Sequence, residues 1–296
     1  MKNSPSLFVY LSICTAVFLW GFSFIWTNSL LQQNFPVFSL VFFRMSFAAF
    51  ILLTVSIVTR KLQKISKKDW GWFLLLVSLE PFIYFIGETL GLKIVNSPTL
   101  GAIIISTIPI FALIAGRIFY SEKITGFNIF GIGITLPGIL LVVFEKGGLQ
   151  VSHTIGILLL FVAVFAAVGY SVVVKQLAFK YNSYTIVTYQ HLLGAAFFLP
   201  LFIYFDYNAF SIENLSNMDI LKPLLFLAAL CSSLAFILFI NSIKSLGIAR
   251  TNIFTTLVPV VSAFGAFLLG EEGLTLRKII GIVIVVAGVI IAQRQK

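Results

Sequence analysis

Two carboxylates, Glu80 and Glu88, interrupt the apolar run between Trp70 and Leu92, which holds no other acid. An acid in such surroundings must take up a proton, meet a cation or find a base, because an unpaired buried charge is costly. On a helix turning about 100° per residue, Gly87, Gly91, Tyr84 and Glu88 share with Glu80 an arc of about 100°. That arc is small and polar. Glu80 stands about 15 Å along the helix from Trp70, near mid-bilayer for an upright span. Ion coupling or contact with a cationic substrate is one reading, and a structural ion pair with Arg44 or Lys93 is the other.

Arg44 is itself unusual, lying about 12 Å along a helix from Pro36. A cation at that depth faces protein or water rather than lipid, either lining a pathway or holding helix ends and carboxylates together. The corresponding place later in the chain, 146 residues on, carries Gln190 followed by His191. Trp20, Ser23 and Thr27 recur at helical spacing and share a face. The element Trp20-Gly21-Phe22-Ser23-Phe24 is answered by Val168-Gly169-Tyr170-Ser171-Val172. Trp20, Ser23, Arg44, Glu80, Tyr84, Glu88, Tyr170, Gln190, His191 and Asn252 are therefore the candidate substrate and ion pathway residues. Helix packing and interhelical hydrogen bonding are the alternative use of the same groups.

Enzyme chemistry has little to stand on. The two histidines, His153 and His191, are far apart, and no His-Glu-x-x-His, Gly-x-Ser-x-Gly or Cys-x-x-Cys constellation occurs. No cofactor or metal site is expected. Cys14 and Cys231 fall inside apolar runs and read as packing residues.

The elements that must position these groups follow from composition. With 59% hydrophobic and 10% charged residues and a mean hydropathy of +1.07, the natural solvent of this chain is a bilayer. Breaks in the apolar pattern divide it into ten spans, at 7–27, 36–59, 70–92, 97–119, 126–144, 154–174, 183–205, 223–243, 250–270 and 277–293. The first is longer than the apolar core of a secretion signal and reads as a transmembrane helix. The formal charge of +10 is distributed over alternate loops, fourteen basic residues on one side and five on the other. That excludes a nucleic-acid surface and puts both termini in the cytoplasm of a cell-membrane protein. The acidic loop with Asp206, Glu213 and Asp219 then faces outward.

The chain also repeats itself. At a constant offset of 150, Pro109 falls on Pro259, Glu122 on Glu272, Thr125 on Thr275, Gly131 on Gly281 and Gly138 on Gly288. Residues 7–144 and 154–293 thus form two repeats of five spans each. Five is odd, so the second repeat enters the membrane inverted, the arrangement of carriers with a cavity between halves. Pro109, read as lying within its helix, and Pro259 are candidate paired hinges. The glycine pairs, seven residues apart, permit close helix approach within a monomer or across a homodimer.

Trp20-Gly21-Phe22-Ser23-Phe24, the Gly91-Leu92-Lys93 turn, the twice-occurring Pro…Glu…Thr pattern and Ser245-Leu246-Gly247-Ile248-Ala249-Arg250 resemble the EamA-type drug/metabolite transporters. The resemblance runs from about residue 11 to 292. It implies an all-α integral membrane fold of ten helices in two inverted repeats. It also implies a central cavity lined mainly by the first, third, fourth, sixth, eighth and ninth helices, and export of amino acids or other small metabolites. Glu80 and Glu88 are not part of that family pattern, and a coupling role for protons rests on their burial alone. A lipid-handling or enzymatic membrane protein is the competing expectation.

Overall fold

A computed structural model of the chain describes residues 7–143, 153–270, 273 and 275–292. Every regular element among them is a helix. In lipid the backbone has only itself to bond, so each apolar run winds up. In chain order these are α1 (Leu7–Gln32), α2 (Val37–Val58), α3 (Trp70–Val77), α4 (Tyr84–Val95), α5 (Pro98–Ile105), α6 (Ile108–Tyr120) and α7 (Gly126–Val143). They continue with α8 (His153–Ala178), α9 (Ser183–Leu201), α10 (Met218–Phe226), α11 (Ala235–Leu246), α12 (Ile248–Ile253), α13 (Val258–Leu268) and α14 (Leu276–Ala292). Side chains close several of the starts. Ser97 accepts from Leu100 N–H at 3.2 Å, and Asn182 accepts from Thr185 N–H at 2.8 Å.

Among the described residues, seven helical stretches are long and apolar enough to cross a membrane: Leu7–Gln32, Val37–Val58, Lys67–Val95, Thr154–Ala178, Ser183–Asp206, Met218–Leu246 and Ile248–Leu268. Outward-facing bulk such as Phe50 and Ile118 is exposed, as a lipid solvent permits. The chain is a multi-pass helical membrane protein.

Several runs that read as continuous helices are interrupted. Wider π-turns occupy Ser78–Ile83, Phe202–Asp206 and Leu227–Leu234. The first contains Glu80 at φ −146° and ψ 115°, joined to Pro81 by a cis peptide. Regular helical phase therefore does not run through Glu80, and Pro81 is the sequence signal for the break. Across the interface Gly194 leaves room for the bulge, since a Cβ there would lie 2.5 Å from Pro81 Cγ.

The placement of Pro109 inside a helix is corrected. The chain breaks at Ser106–Thr107, and Pro109 stands in the first turn of α6. Pro259 likewise opens α13, after the 3-10 turn Phe254–Leu257. At the start of a helix the missing proline N–H removes no bond. Both prolines restart a rod that has already bent.

The helix pairings come in matched sets. α2 packs on α9 and α7 on α14; α4 packs on α8 as α11 does on α1; α6 packs on α8 as α13 does on α1; α12 packs on α6 as α5 does on α13. α7 and α14 meet backbone to backbone. A Cβ on Gly138 would lie 2.9 Å from the Gly281 carbonyl oxygen, and one on Gly288 would lie 2.7 Å from that of Gly131.

Candidate functional site

The interrupted rods surround a small cavity of about 50 Å³. α1 contributes Trp20, Ser23 and Phe24, and α2 contributes Arg44. The rod from α3 to α4 supplies Glu80, Tyr84, Phe85 and Glu88. Ile105 and Ile108 flank the α5–α6 break, and Ala167, Tyr170 and Ser171 come from α8. Phe236 and Phe239 from α11 and Asn252, Thr255 and Val258 around the α12–α13 break complete the wall. Its charged members are two acids and one base.

Arg44, 2% exposed, is fixed twice. Its Nε donates to Ser232 Oγ at 2.7 Å, and its guanidinium lies 4.3 Å from the Phe85 ring centre, a cation–π distance. An ion pair with Glu80 or Glu88, one of the two readings of these acids, is not formed. The ion pairs among the described residues are Lys175–Glu122 and Lys180–Asp69. Lys93, the other proposed partner, is exposed. Glu88 accepts from Tyr84 Oη at 3.0 Å through Oε1, while its Oε2 is buried with no hydrogen-bond partner. Glu80 is 6% exposed and faces the same cavity.

The neutral groups are arranged more conventionally. Trp20 Nε1 donates to the Cys231 carbonyl at 3.1 Å, in the π-turn before α11, and its ring packs edge-on to Phe236 and Phe239. Ser23 Oγ returns its proton to the Trp20 carbonyl at 2.7 Å. Asn252 Nδ2 donates to Ser171 Oγ at 3.3 Å and to the Ile248 carbonyl at 2.9 Å. Trp20, Ser23, Arg44, Glu80, Tyr84, Glu88, Tyr170 and Asn252 thus all lie on the cavity wall.

Gln190 and His191 do not line the cavity. Gln190 accepts from Tyr170 Oη at 2.9 Å, and His191 Nδ1 lies 2.9 Å from the Val187 carbonyl. They brace the wall from behind. Pro109 and Pro259 also stay outside it, but their neighbours Ile108 and Val258 are on it. Ser171, Phe236, Phe239 and Thr255 are wall residues that sequence reasoning did not single out. For Ser171 the signal was present in its repeat match to Ser23; an aromatic in an aromatic-rich run carries none.

Glu122, the carboxylate of the first Pro…Glu…Thr pattern, joins α6, α8 and α12. Its Oε1 accepts from Ile248 N–H at 2.8 Å and its Oε2 from Ala249 N–H at 2.9 Å. Lys175 of α8 pairs with it and lies 4.5 Å from the Tyr120 ring centre. Gly247, at φ 89°, turns those two amides toward the acid. Thr125 bonds Asn128 at the start of α7, and Asn128 Nδ2 reaches the Ala292 carbonyl of α14 at 2.6 Å. The pattern therefore resolves into a helix restart, an interhelical clasp and a helix cap. Glu272, the second carboxylate, lies outside the described residues. Asp206, expected in an outward loop, is instead buried and accepts from Ser39 N–H at 2.7 Å and Ser39 Oγ at 3.1 Å, since the free amides of the buried start of α2 need acceptors.

No cluster of three or more histidine, cysteine or acidic side chains suited to a metal occurs among the described residues.

Comparison with known proteins agrees with this geometry. The chain is 26% identical to an uncharacterized transporter of Archaeoglobus fulgidus, covering 95% of each. It is 26% identical to the uncharacterized transporter YyaM of Bacillus subtilis, over 84% of this chain and 82% of that one. A crystal structure superposes with a TM-score of 0.81 over 96% of each chain at 16% identity, a likeness of fold. The profile of the EamA-like transporter family matches residues 7–144 and 154–293. With both halves matched, the chain belongs to the EamA-like transporter family, a family of transporters rather than enzymes.

Proposed function

We infer that the chain is a secondary carrier of the cytoplasmic membrane that exports amino acids or other small metabolites by alternating access, with protons as the coupling ion. It crosses ten times as two inverted repeats, 7–144 and 154–293, with both termini inside. The observation that carries this reading is the cavity itself, walled by broken rods from both halves and holding Arg44, Glu80 and Glu88 of the first half. Carrier sites are built this way, because irregular backbone at membrane depth is tolerated where it lines a cavity. The matched helix pairings support the repeat. α7 and α14, with 18 and 17 residues, are just long enough to add spans at about 1.5 Å per residue.

The test is profiling of medium and cytoplasm in cells making the wild-type chain, Glu80→Gln or neither. A compound enriched in the medium with the wild type alone supports export. Enrichment inside reverses the direction, and the absence of saturable solute flux in liposomes would overturn the carrier reading.

A further inference from the structure

The fixed charges of the cavity do not balance. Glu80, Glu88 and Arg44 are its charged lining residues, so with both carboxylates ionised the site carries one excess negative charge. The other titratable groups near it supply no compensation. Tyr84 and Tyr170 on the wall and Cys231 behind it are neutral in their ordinary states. His191 has one nitrogen on the Val187 carbonyl and its Nε2 buried without a partner. A second proton there would have no acceptor, and the ring sits behind Phe236 at 5.5 Å between centres. α1, α5, α6, α11 and α12 contribute no titratable side chain to the wall.

The unmet demand is also chemically specific. Glu88 Oε2 is an acceptor with no donor, and Glu88 is 4% exposed. Glu80 faces the cavity with no base paired to it among the described residues. A ligand satisfying both must bring N–H donors and one positive charge. The remaining surface asks for an apolar group, since Trp20, Phe236 and Phe239 form an aromatic wall opposite.

We propose that this cavity is an exchange site for one proton against one monovalent amphipathic amine, an ammonium group bound between Glu80 and Glu88 with its apolar substituent against Trp20, Phe236 and Phe239. This narrows the carrier reading above and rests on it. In the empty site one carboxyl keeps its proton, and the site is neutral. When the ammonium enters, that carboxyl O–H gives its proton to water and the resulting carboxylate accepts from the ammonium N–H. The site is neutral again, so each loaded form crosses without carrying an unpaired charge. A zwitterion such as an α-amino acid brings no net charge and does not displace the proton.

The probe is 2-phenylethylammonium, with neutral 2-phenylethanol and zwitterionic L-phenylalanine as comparisons, titrated into purified protein in weakly buffered detergent solution at pH 7. The amine should bind saturably and release close to one proton per protein, and the alcohol should bind at least tenfold more weakly. Glu80→Gln and Glu88→Gln each remove the excess charge, so proton release should vanish and amine affinity should fall tenfold or more. Glu80→Asp keeps the charge and should keep the release. If either glutamine variant fails to fold, the three-probe comparison on wild type still decides. Amine binding without proton release, or tighter binding of the alcohol or of phenylalanine, overturns the proposal. Saturable liposome flux of other solutes with none for the amine overturns it and spares the carrier; no saturable flux of any solute overturns both.

Discussion

Arg44 shows what a buried charge requires of one neighbour. Its Nε has a single polar partner, Ser232 Oγ at 2.7 Å, so Ser232→Ala leaves a charged donor unsatisfied, a loss of about 1–3 kcal/mol. The expected outcome is a lower melting temperature in detergent, with Ser232→Thr retaining most of the stability. An unchanged melting temperature for the alanine variant would show that the bond adds nothing. Arg44, Glu80 and Glu88 were legible because a charge in an apolar run is rare and must face something polar. Gln190 and His191 carried the same signal and do not line the cavity. Two consecutive residues lie about 100° apart on a helix, and here both are turned into the packing behind Tyr170 and Phe236. Phe236 and Phe239 were illegible for the opposite reason: a phenylalanine facing a cavity and one facing lipid look alike in a chain with 32 of them.

Helices here are held by groups that cross between them, and Glu122 is the clearest case. It satisfies two backbone amides at the start of α12 and pairs with Lys175 of α8. Glu122→Ala should therefore destabilise more than Lys175→Ala, and the double variant should cost less than the sum. A coupling energy of about 1–3 kcal/mol from a double-mutant cycle in thermal melts is expected; additive effects would mean that the acid and the lysine act separately. A second element-scale prediction concerns the bulge at Glu80. Gly194→Leu drives a side chain into Pro81, and should lose more transport than Gly133→Leu, where a Cβ meets nothing within 4 Å. Helix positions were readable from the apolar runs, because a bilayer leaves the backbone few other choices. The breaks were less so: Pro109 and Pro259 pointed to them, yet the bends lie just before these prolines, and while Pro81 marks the π-turn at Ser78–Ile83, the one at Leu227–Leu234 contains no proline.

At the scale of the whole molecule, the matched pairings separate contacts that can stay fixed from contacts that must change. If the two halves exchange conformations, α2–α9 and α7–α14 map onto themselves and need not move, whereas α6–α12 and α13–α5 map onto one another and must loosen in turn. Disulfides discriminate between the two sets, in a background where Cys14 and Cys231 are replaced by serine. Ser56 Oγ and Thr188 Oγ1 lie 2.9 Å apart across α2–α9, so Ser56→Cys with Thr188→Cys suits a bridge that spans a fixed contact. Gly116→Cys with Ala249→Cys spans the changing one, since a Cβ on Gly116 would lie 3.7 Å from the Ala249 amide nitrogen; it would also lie 2.7 Å from Glu122 Oε2 and shift that side chain, so the reduced double-cysteine protein is the baseline. Oxidation of the first pair should leave liposome flux near its reduced value, while oxidation of the second should cut flux at least tenfold, restored by reductant. Flux that survives the α6–α12 bridge, or is lost on bridging α2–α9, would overturn an exchange of halves as the route by which this cavity reaches both sides of the membrane.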